Sequence, residues 1–175
     1  SRIERAEEEL KRSLKELRED LERVVRTIRK ILREHEEKSK DVKRRIEELL
    51  REVKKRMVKD REILRELEER VRKIEEDLER ISDELRKVAE RVIEEAKRLV
   101  DEDADRIRKI IELLRAGKDV DKVLRDVEDL NRTTLKLLED LLRTVEEVVR
   151  RADKLLEDLL REIKRLVDEV MERDR

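Results

Sequence analysis

Ala116-Gly117-Lys118-Asp119 is the stretch that decides the fold, because it contains the only glycine of a 175-residue chain that has no proline. A glycine just past an apolar run ends a helix in the left-handed conformation, and an aspartate two residues later can cap the next helix. Counting back 59 residues from Asp119 reaches Asp60, where Lys59-Asp60 repeats the Lys-Asp pair, and a further 59 residues reaches Ser1. The spacing predicts three helices of equal length joined by two turns.

The composition is typical of long helices and coiled coils. Charged residues make up 58% of the chain, against roughly 25% in an average domain, and hydrophobic residues 36%. The 50 basic and 51 acidic side chains nearly cancel, so there is no bulk attraction to nucleic acid or to an anionic membrane. There is no cysteine for thiol chemistry and no long apolar run. We therefore expect a soluble protein that requires no nucleic acid and no membrane.

Apolar residues recur at steps of three and four along the whole chain, which places them on one stripe of each helix. The predicted helices cover about 2–58, about 60–116 and about 119–174, with about 57 residues and about 85 Å each. In the third helix the predicted stripe consists of Val120, Leu124, Val127, Leu138, Leu141, Val145, Val148, Leu155, Leu159, Ile163, Leu166 and Val170.

A comparison of the first and third helices indicates how they pack. Shifting the first helix by 117 residues places Ile28 on Val145 and Ile46 on Ile163. Matched apolar positions are what two parallel helices in an up-down-up bundle require. We therefore predict an all-α, antiparallel up-down-up three-helix bundle, coiled-coil-like, that forms a single domain over residues 1–175.

Two alternatives to this topology stay open. The apolar spacing continues through Val58-Lys59-Asp60 without a glycine, so one helix of about 115 residues could cross residue 60 and form a swapped or extended dimer. Helices could also start at Ser39, Ser82 or Asp103, which are suitable capping residues. The apolar spacing passes through all three positions, which favours long helices.

Five polar residues lie on or beside the apolar stripes and form the predicted polar core: His35, Ser39, Ser82, Asn131 and Thr134. In the antiparallel register His35 should lie beside Ser82, and the shift of 117 places it beside Ala152. An unpaired buried imidazole or amide costs about 1–3 kcal/mol, so these residues should hydrogen-bond to one another. We expect such groups to disfavour shifted helix registers.

A catalytic or metal-binding role for His35 is the competing interpretation. One histidine without cysteine or an organised carboxylate set cannot build a closed zinc site. General-base catalysis needs a nucleophile or a second acid or base beside the imidazole, and the sequence pattern indicates none. We expect no enzymatic activity, no metal and no cofactor.

The whole chain resembles a de novo designed helical bundle, in its capping Ser1, its short Gly117-Lys118-Asp119 turn, its equal helices and its few polar residues on the stripes. The resemblance implies idealised geometry and a structural scaffold without a natural biochemical function, and some designs of this kind contain buried hydrogen-bond networks. The alternatives are a helical interaction module or swapped coiled-coil assembly, and a protein whose helices open on a lipid surface. We expect a monomer that requires no partner, with a homodimer as the alternative.

Overall fold

The computed structural model describes residues 1–56 and 59–174 and contains three α-helices. These are α1 (Arg2–Arg56), α2 (Arg61–Arg115) and α3 (Val120–Arg173). Each pair of helices packs together, which confirms the predicted antiparallel three-helix bundle, and the described residues include no strand. The predicted end of the first helix, Met57-Val58, lies outside the described residues.

The start of α2 shows that a helix crossing residue 60 is the wrong alternative. Asp60 is not helical, and its Oδ1 accepts hydrogen bonds from the backbone N–H groups of Glu62 and Ile63 at 3.2 and 3.4 Å. Asp119 acts in the same way before α3, where its Oδ1 accepts from the N–H of Asp121 at 3.1 Å. Both aspartates satisfy backbone donors that the first turn of a helix leaves without intrahelical partners.

Gly117 ends α2 for a conformational reason. Its φ is 91°, a region that side chains with a Cβ rarely adopt. The Gly117 N–H donates to the Leu114 carbonyl at 3.1 Å, and the Lys118 N–H donates to the Leu113 carbonyl at 3.3 Å. This pair of bonds is the Schellman motif, which satisfies the last carbonyls of a helix.

Backbone contacts divide the chain into two compact units, each of which includes part of every helix. That residues 1–175 form a single domain therefore stays a prediction. The first unit consists of Ser1–Lys30 and Ala89–Glu146. Part of its core is a cluster of aliphatic residues from the start of α1, the end of α2 and the start of α3: Ala6, Leu10, Ile107, Leu114, Val123 and Val127. Arg115 donates to Glu7 at 2.8 Å beside this cluster, and this bond holds the pKa of the Glu7 carboxyl below its usual range.

The second unit consists of Ile31–Val88 and Glu147–Arg175. Its core is built from the remaining parts of α1, α2 and α3, and its most buried members are Ile46, Val53, Leu67, Leu78, Leu156 and Ile163. The aliphatic side chains are buried at steps of three and four, and each stabilises the fold by about 1.5–3 kcal/mol. Charged residues occupy the opposite faces of the helices.

One part of the predicted stripe of α3 needs correction. Leu155 is 50% exposed and Leu159 is partly buried, whereas Leu156 and Leu160 are 1% and 7% exposed. The sequence has a leucine pair at each position, so three-four spacing alone does not select the inward member. In the structure the inward leucine of the first pair is Leu156, which lies one helical turn after the buried Ala152.

No described helix contains a segment long and apolar enough to cross a membrane.

Candidate functional site: buried polar residues

His35 is the centre of a hydrogen-bonded group that draws side chains from all three helices. The ring is 1% exposed. Its Nδ1 lies 2.8 Å from Asp153 Oδ1 on α3, and its Nε2 lies 3.3 Å from Ser82 Oγ on α2. Ser82 Oγ lies 3.4 Å from Ser39 Oγ on α1. We call these four residues, His35, Ser39, Ser82 and Asp153, the His35 cluster.

The chemistry of the partners determines which ring nitrogen of His35 always carries a hydrogen. A carboxylate only accepts hydrogen bonds, so the His35 Nδ1 carries a hydrogen and donates it to Asp153. In the neutral ring the Nε2 then accepts from the Ser82 hydroxyl, and Ser39 donates to Ser82. In the charged ring the Nε2 donates to Ser82, which donates to Ser39. Because both hydroxyls rotate freely, each protonation state of the ring finds partners.

Asp153 was missing from the predicted polar core. The register shift of 117 placed Ala152 beside His35, and the structure places the next residue, Asp153, in contact with the ring. The Asp153 side chain is 20% exposed, and its second oxygen accepts from Lys38 Nζ at 3.0 Å. On a highly charged helix, an aspartate followed by a lysine gives no signal by itself. The position of Asp153 along the bundle, at the same height as the buried His35, could have identified it.

Asp103 is a second buried polar residue outside the predicted polar core. It is 1% exposed, and neither carboxyl oxygen has a hydrogen bond of normal geometry within the described residues. Burial raises the pKa of the Asp103 carboxyl, while the neighbouring Thr134 hydroxyl and the Arg106 charge act in the opposite direction. Its position could have been read from the spacing, because it lies three residues after Val100 and four before Ile107.

The two predicted polar residues of α3 differ in environment from the His35 cluster. Thr134 is 6% exposed and lies beside Asp103. Asn131, one turn earlier, is partly buried, and its Oδ1 has no hydrogen-bond partner among the described residues. The structure therefore does not join Asn131 and Thr134 to His35, and the expected partner of the Asn131 amide oxygen is not seen.

Threonines that border the stripes bond to their own helix. Thr27, Thr133 and Thr144 each donate to the backbone carbonyl four residues earlier, at 2.8–3.0 Å. Such bonds carry no information about the neighbouring helices. The bonds of the His35 cluster differ because they link side chains of different helices.

An open groove with a volume of about 400 Å³ gives access to the hydroxyl end of the His35 cluster. Ser39 and Ser82 contribute to its lining, together with the cations Lys40 and Lys43 and the carboxylate of Glu75. Burial raises the pKa of the Glu75 carboxyl; the Lys43 charge opposes this rise, and the neighbouring carboxylates Glu47 and Glu79 add to it. The groove is therefore polar, and it carries charges of both signs.

Within residues 1–56 and 59–174, no three His, Cys, Asp or Glu side chains are grouped so that they could hold a metal ion. Comparisons with protein-family models, curated proteins and solved structures find no match to this chain.

Proposed function

We propose that the chain is a de novo designed structural scaffold, without a natural biochemical activity, whose buried polar residues fix the register of its helices. The observation that carries the proposal is the His35 cluster, which links one helix to two others through side chains on the apolar stripes. A slipped helix would leave the imidazole in an apolar environment without partners, at a cost of about 1–3 kcal/mol. The cluster therefore penalises wrong registers more than it stabilises the right one.

Regular features of the backbone support the designed origin. The three helices have 55, 55 and 54 residues. Asp60 and Asp119 cap their helices through the same Oδ1-to-backbone bond, and Ser1 Oγ accepts from the Glu4 N–H at 3.3 Å. Idealised lengths and repeated caps are what a designed backbone specifies.

Light scattering coupled to size-exclusion chromatography tests the scaffold as a self-contained unit. We expect the mass of one chain, 21.4 kDa, at every concentration from micromolar to millimolar. A mass that rises with concentration would instead favour an assembly of several chains.

The role of the His35 cluster is tested by replacing its polar centre with apolar side chains. The double variant His35→Leu, Ser82→Ala should stay helical, because its core becomes more apolar, but it should populate several registers and give a broadened or multiplied set of amide resonances. The matched control is Thr133→Ala, Thr144→Ala, which removes two hydroxyls that bond only within α3 and should leave the spectrum as sharp as in the parent. A single sharp set of resonances in the His35→Leu, Ser82→Ala variant would refute the register role.

An interaction module is the second candidate, and an exposed apolar groove favours it. Leu155 is 50% exposed and lines this groove together with Leu85, Val88, Val148 and Ala152. Apolar side chains at such a site can receive a partner helix. Under this candidate a dimer forms at high concentration and Leu155→Glu abolishes it; under the scaffold proposal neither occurs.

A further inference from the structure

Three residues of the His35 cluster are ordered as carboxylate, imidazole and hydroxyl. Asp153 accepts from Nδ1 of His35 at 2.8 Å, and Nε2 on the other side of the ring lies 3.3 Å from the Ser82 hydroxyl. This is the connectivity by which a carboxylate orients a histidine and the histidine removes a proton from a serine. The Nε2 to Oγ distance is slightly longer than the usual range, as is common when no substrate is bound.

The carboxylate sets the ring in the tautomer that activates the serine. With the hydrogen on Nδ1, the lone pair of Nε2 faces Ser82 and can accept its proton. Ser39 completes the arrangement, because its hydroxyl can donate to the Ser82 oxygen while Ser82 donates to the ring. Lys38 holds the second oxygen of Asp153 at 3.0 Å and keeps the carboxylate in place.

The reactive end of this group is open to small molecules. Ser82 is 7% exposed, and it contributes to the lining of the 400 Å³ groove between α1 and α2. Ligand pockets in proteins have volumes of about 300–1,000 Å³, so a small organophosphorus reagent is of suitable size. The groove carries charges of both signs, because its lining contains the cations Lys40, Lys43 and Arg86 and the carboxylates Glu36, Glu75, Glu79 and Asp83.

We propose that Ser82 is an activated nucleophile that small phosphoryl and acyl electrophiles modify covalently. In the reaction with a dialkyl fluorophosphate, the Ser82 Oγ–P bond forms and the P–F bond breaks. The Ser82 proton passes to Nε2 of His35, and fluoride leaves with the bonding electron pair. The charged imidazole keeps a partner at Nδ1, because Asp153 accepts from it in both protonation states.

The same geometry limits the reaction to one turnover. Backbone N–H groups in the interior of α1 and α2 are used by the helices themselves, so none is free to form an oxyanion hole at Ser82. Fluoride leaves readily when the adduct forms, whereas release of the serine-bound group must expel an alkoxide, a poorer leaving group that needs such stabilisation. Ser82 is therefore a modification site and not the centre of a hydrolase, which leaves the scaffold proposal unchanged.

The test is to treat the folded protein with diisopropyl fluorophosphate at neutral pH, and to follow the intact mass and the modified peptide by mass spectrometry. We expect one adduct per chain, on Ser82. The absence of an adduct, or an adduct on Ser39 or another hydroxyl instead, overturns the proposal. This result is obtained on the parent protein and does not depend on the folding of any variant.

Variants then test the roles of the two groups beside Ser82. His35→Gln removes the base and should slow labelling by about 100-fold or more, the usual effect of a general base. Ser13→Ala, a partly buried serine outside the His35 cluster, should label at the parent rate. Equal labelling rates in the parent and in His35→Gln would show that the ring does not activate Ser82.

Asp153 is a positioning residue, and its role has a spectroscopic signature. The chain has a single histidine, so the ¹⁵N chemical shifts of its ring can be assigned without ambiguity. We expect the Nδ1–H tautomer in the parent, and loss of its predominance together with slower labelling in Asp153→Asn. An unchanged tautomer and an unchanged labelling rate in this variant would overturn the arrangement.

Discussion

Asp103 is the residue at which a substitution should stabilise the protein most clearly. It lies 1% exposed on α2, between Val100 and Ile107 on the buried face, and neither carboxyl oxygen has a partner of normal hydrogen-bond geometry within the described residues. A buried polar group without partners costs about 1–3 kcal/mol, and more when it is charged. The neighbouring Thr134 hydroxyl lowers this cost but does not cancel the effect of burial. We expect Asp103→Asn to raise the free energy of unfolding at pH 7 by about 1–2 kcal/mol.

The pH dependence of this gain follows from the direction of the pKa shift. Burial raises the pKa of Asp103 in the folded protein above the value of about 4 that it has in the unfolded chain. Below pH 4 the carboxyl is protonated in both states, so the additional cost of burying its charge is absent. As the pH rises between the unfolded and the folded pKa, the unfolded chain loses its proton first, so the folded state is destabilised. Above the folded pKa the full cost is present.

The assay is chemical denaturation of the parent and of Asp103→Asn at several pH values from 3 to 8, followed by far-UV circular dichroism. The difference in unfolding free energy between the two proteins should be small at pH 3 and should grow with pH to its full value. Asp101→Asn is the matched control, because Asp101 is exposed on the same helix and its replacement should change stability by less than about 0.5 kcal/mol. If Asp103→Asn destabilises the protein at pH 7, the carboxylate has a stabilising partner and the reasoning is wrong.

Three further predictions concern the turns and the core. Gly117→Ala should destabilise the protein by about 1–2 kcal/mol, because the φ of 91° is unfavourable for a residue with a Cβ. A clash does not contribute, since no atom lies within 4 Å of the added Cβ. A Tm unchanged from the parent would contradict this prediction. Asp119→Ala should cost about 1 kcal/mol in urea denaturation, and Asp119→Asn much less, because asparagine also caps helices. Leu138→Ala, at a fully buried position, should cost about 2–5 kcal/mol, whereas Leu155→Ala, at a half-exposed one, should cost well below 2 kcal/mol; similar losses would mean that the core is assigned wrongly.

The fold could be predicted from the sequence because local signals agree with the global pattern. Gly117 is the one glycine of the sequence and adopts a left-handed backbone with a φ of 91°, and Asp119 is placed where a cap is needed. The three-four spacing of aliphatic residues then fixes which face of each helix is buried. The first turn is harder to predict because no glycine marks it, and Asp60 shows its function as a cap only through its bonds to Glu62 and Ile63.

The polar residues were predicted less completely, for a physical reason. His35 and Ser82 stand out because an imidazole or a hydroxyl is rare among so many charged and aliphatic side chains. Asp103 and Asp153 do not stand out, because acidic residues cover the surface of every helix. Asp103 could have been found from its spacing to Val100 and Ile107. The contact of Asp153 with His35, in place of the predicted Ala152, depends on a shift of a single residue in helix register, which is smaller than the precision of a spacing argument. The same limit explains why the spacing does not distinguish the exposed Leu155 from the buried Leu156.

The central claim is that the three helices close on one another within a single molecule, and an engineered cross-link between α1 and α2 tests it most directly. Arg115 donates to Glu7 at 2.8 Å, and the parent chain has no cysteine to interfere. The double variant Glu7→Cys, Arg115→Cys is treated with a short bismaleimide at a series of protein concentrations. We predict one linker across two cysteines of the same chain, at the mass of a monomer and with a yield independent of dilution. Covalent dimers that disappear on dilution would contradict the account, because α1 would then pack on α2 of another molecule.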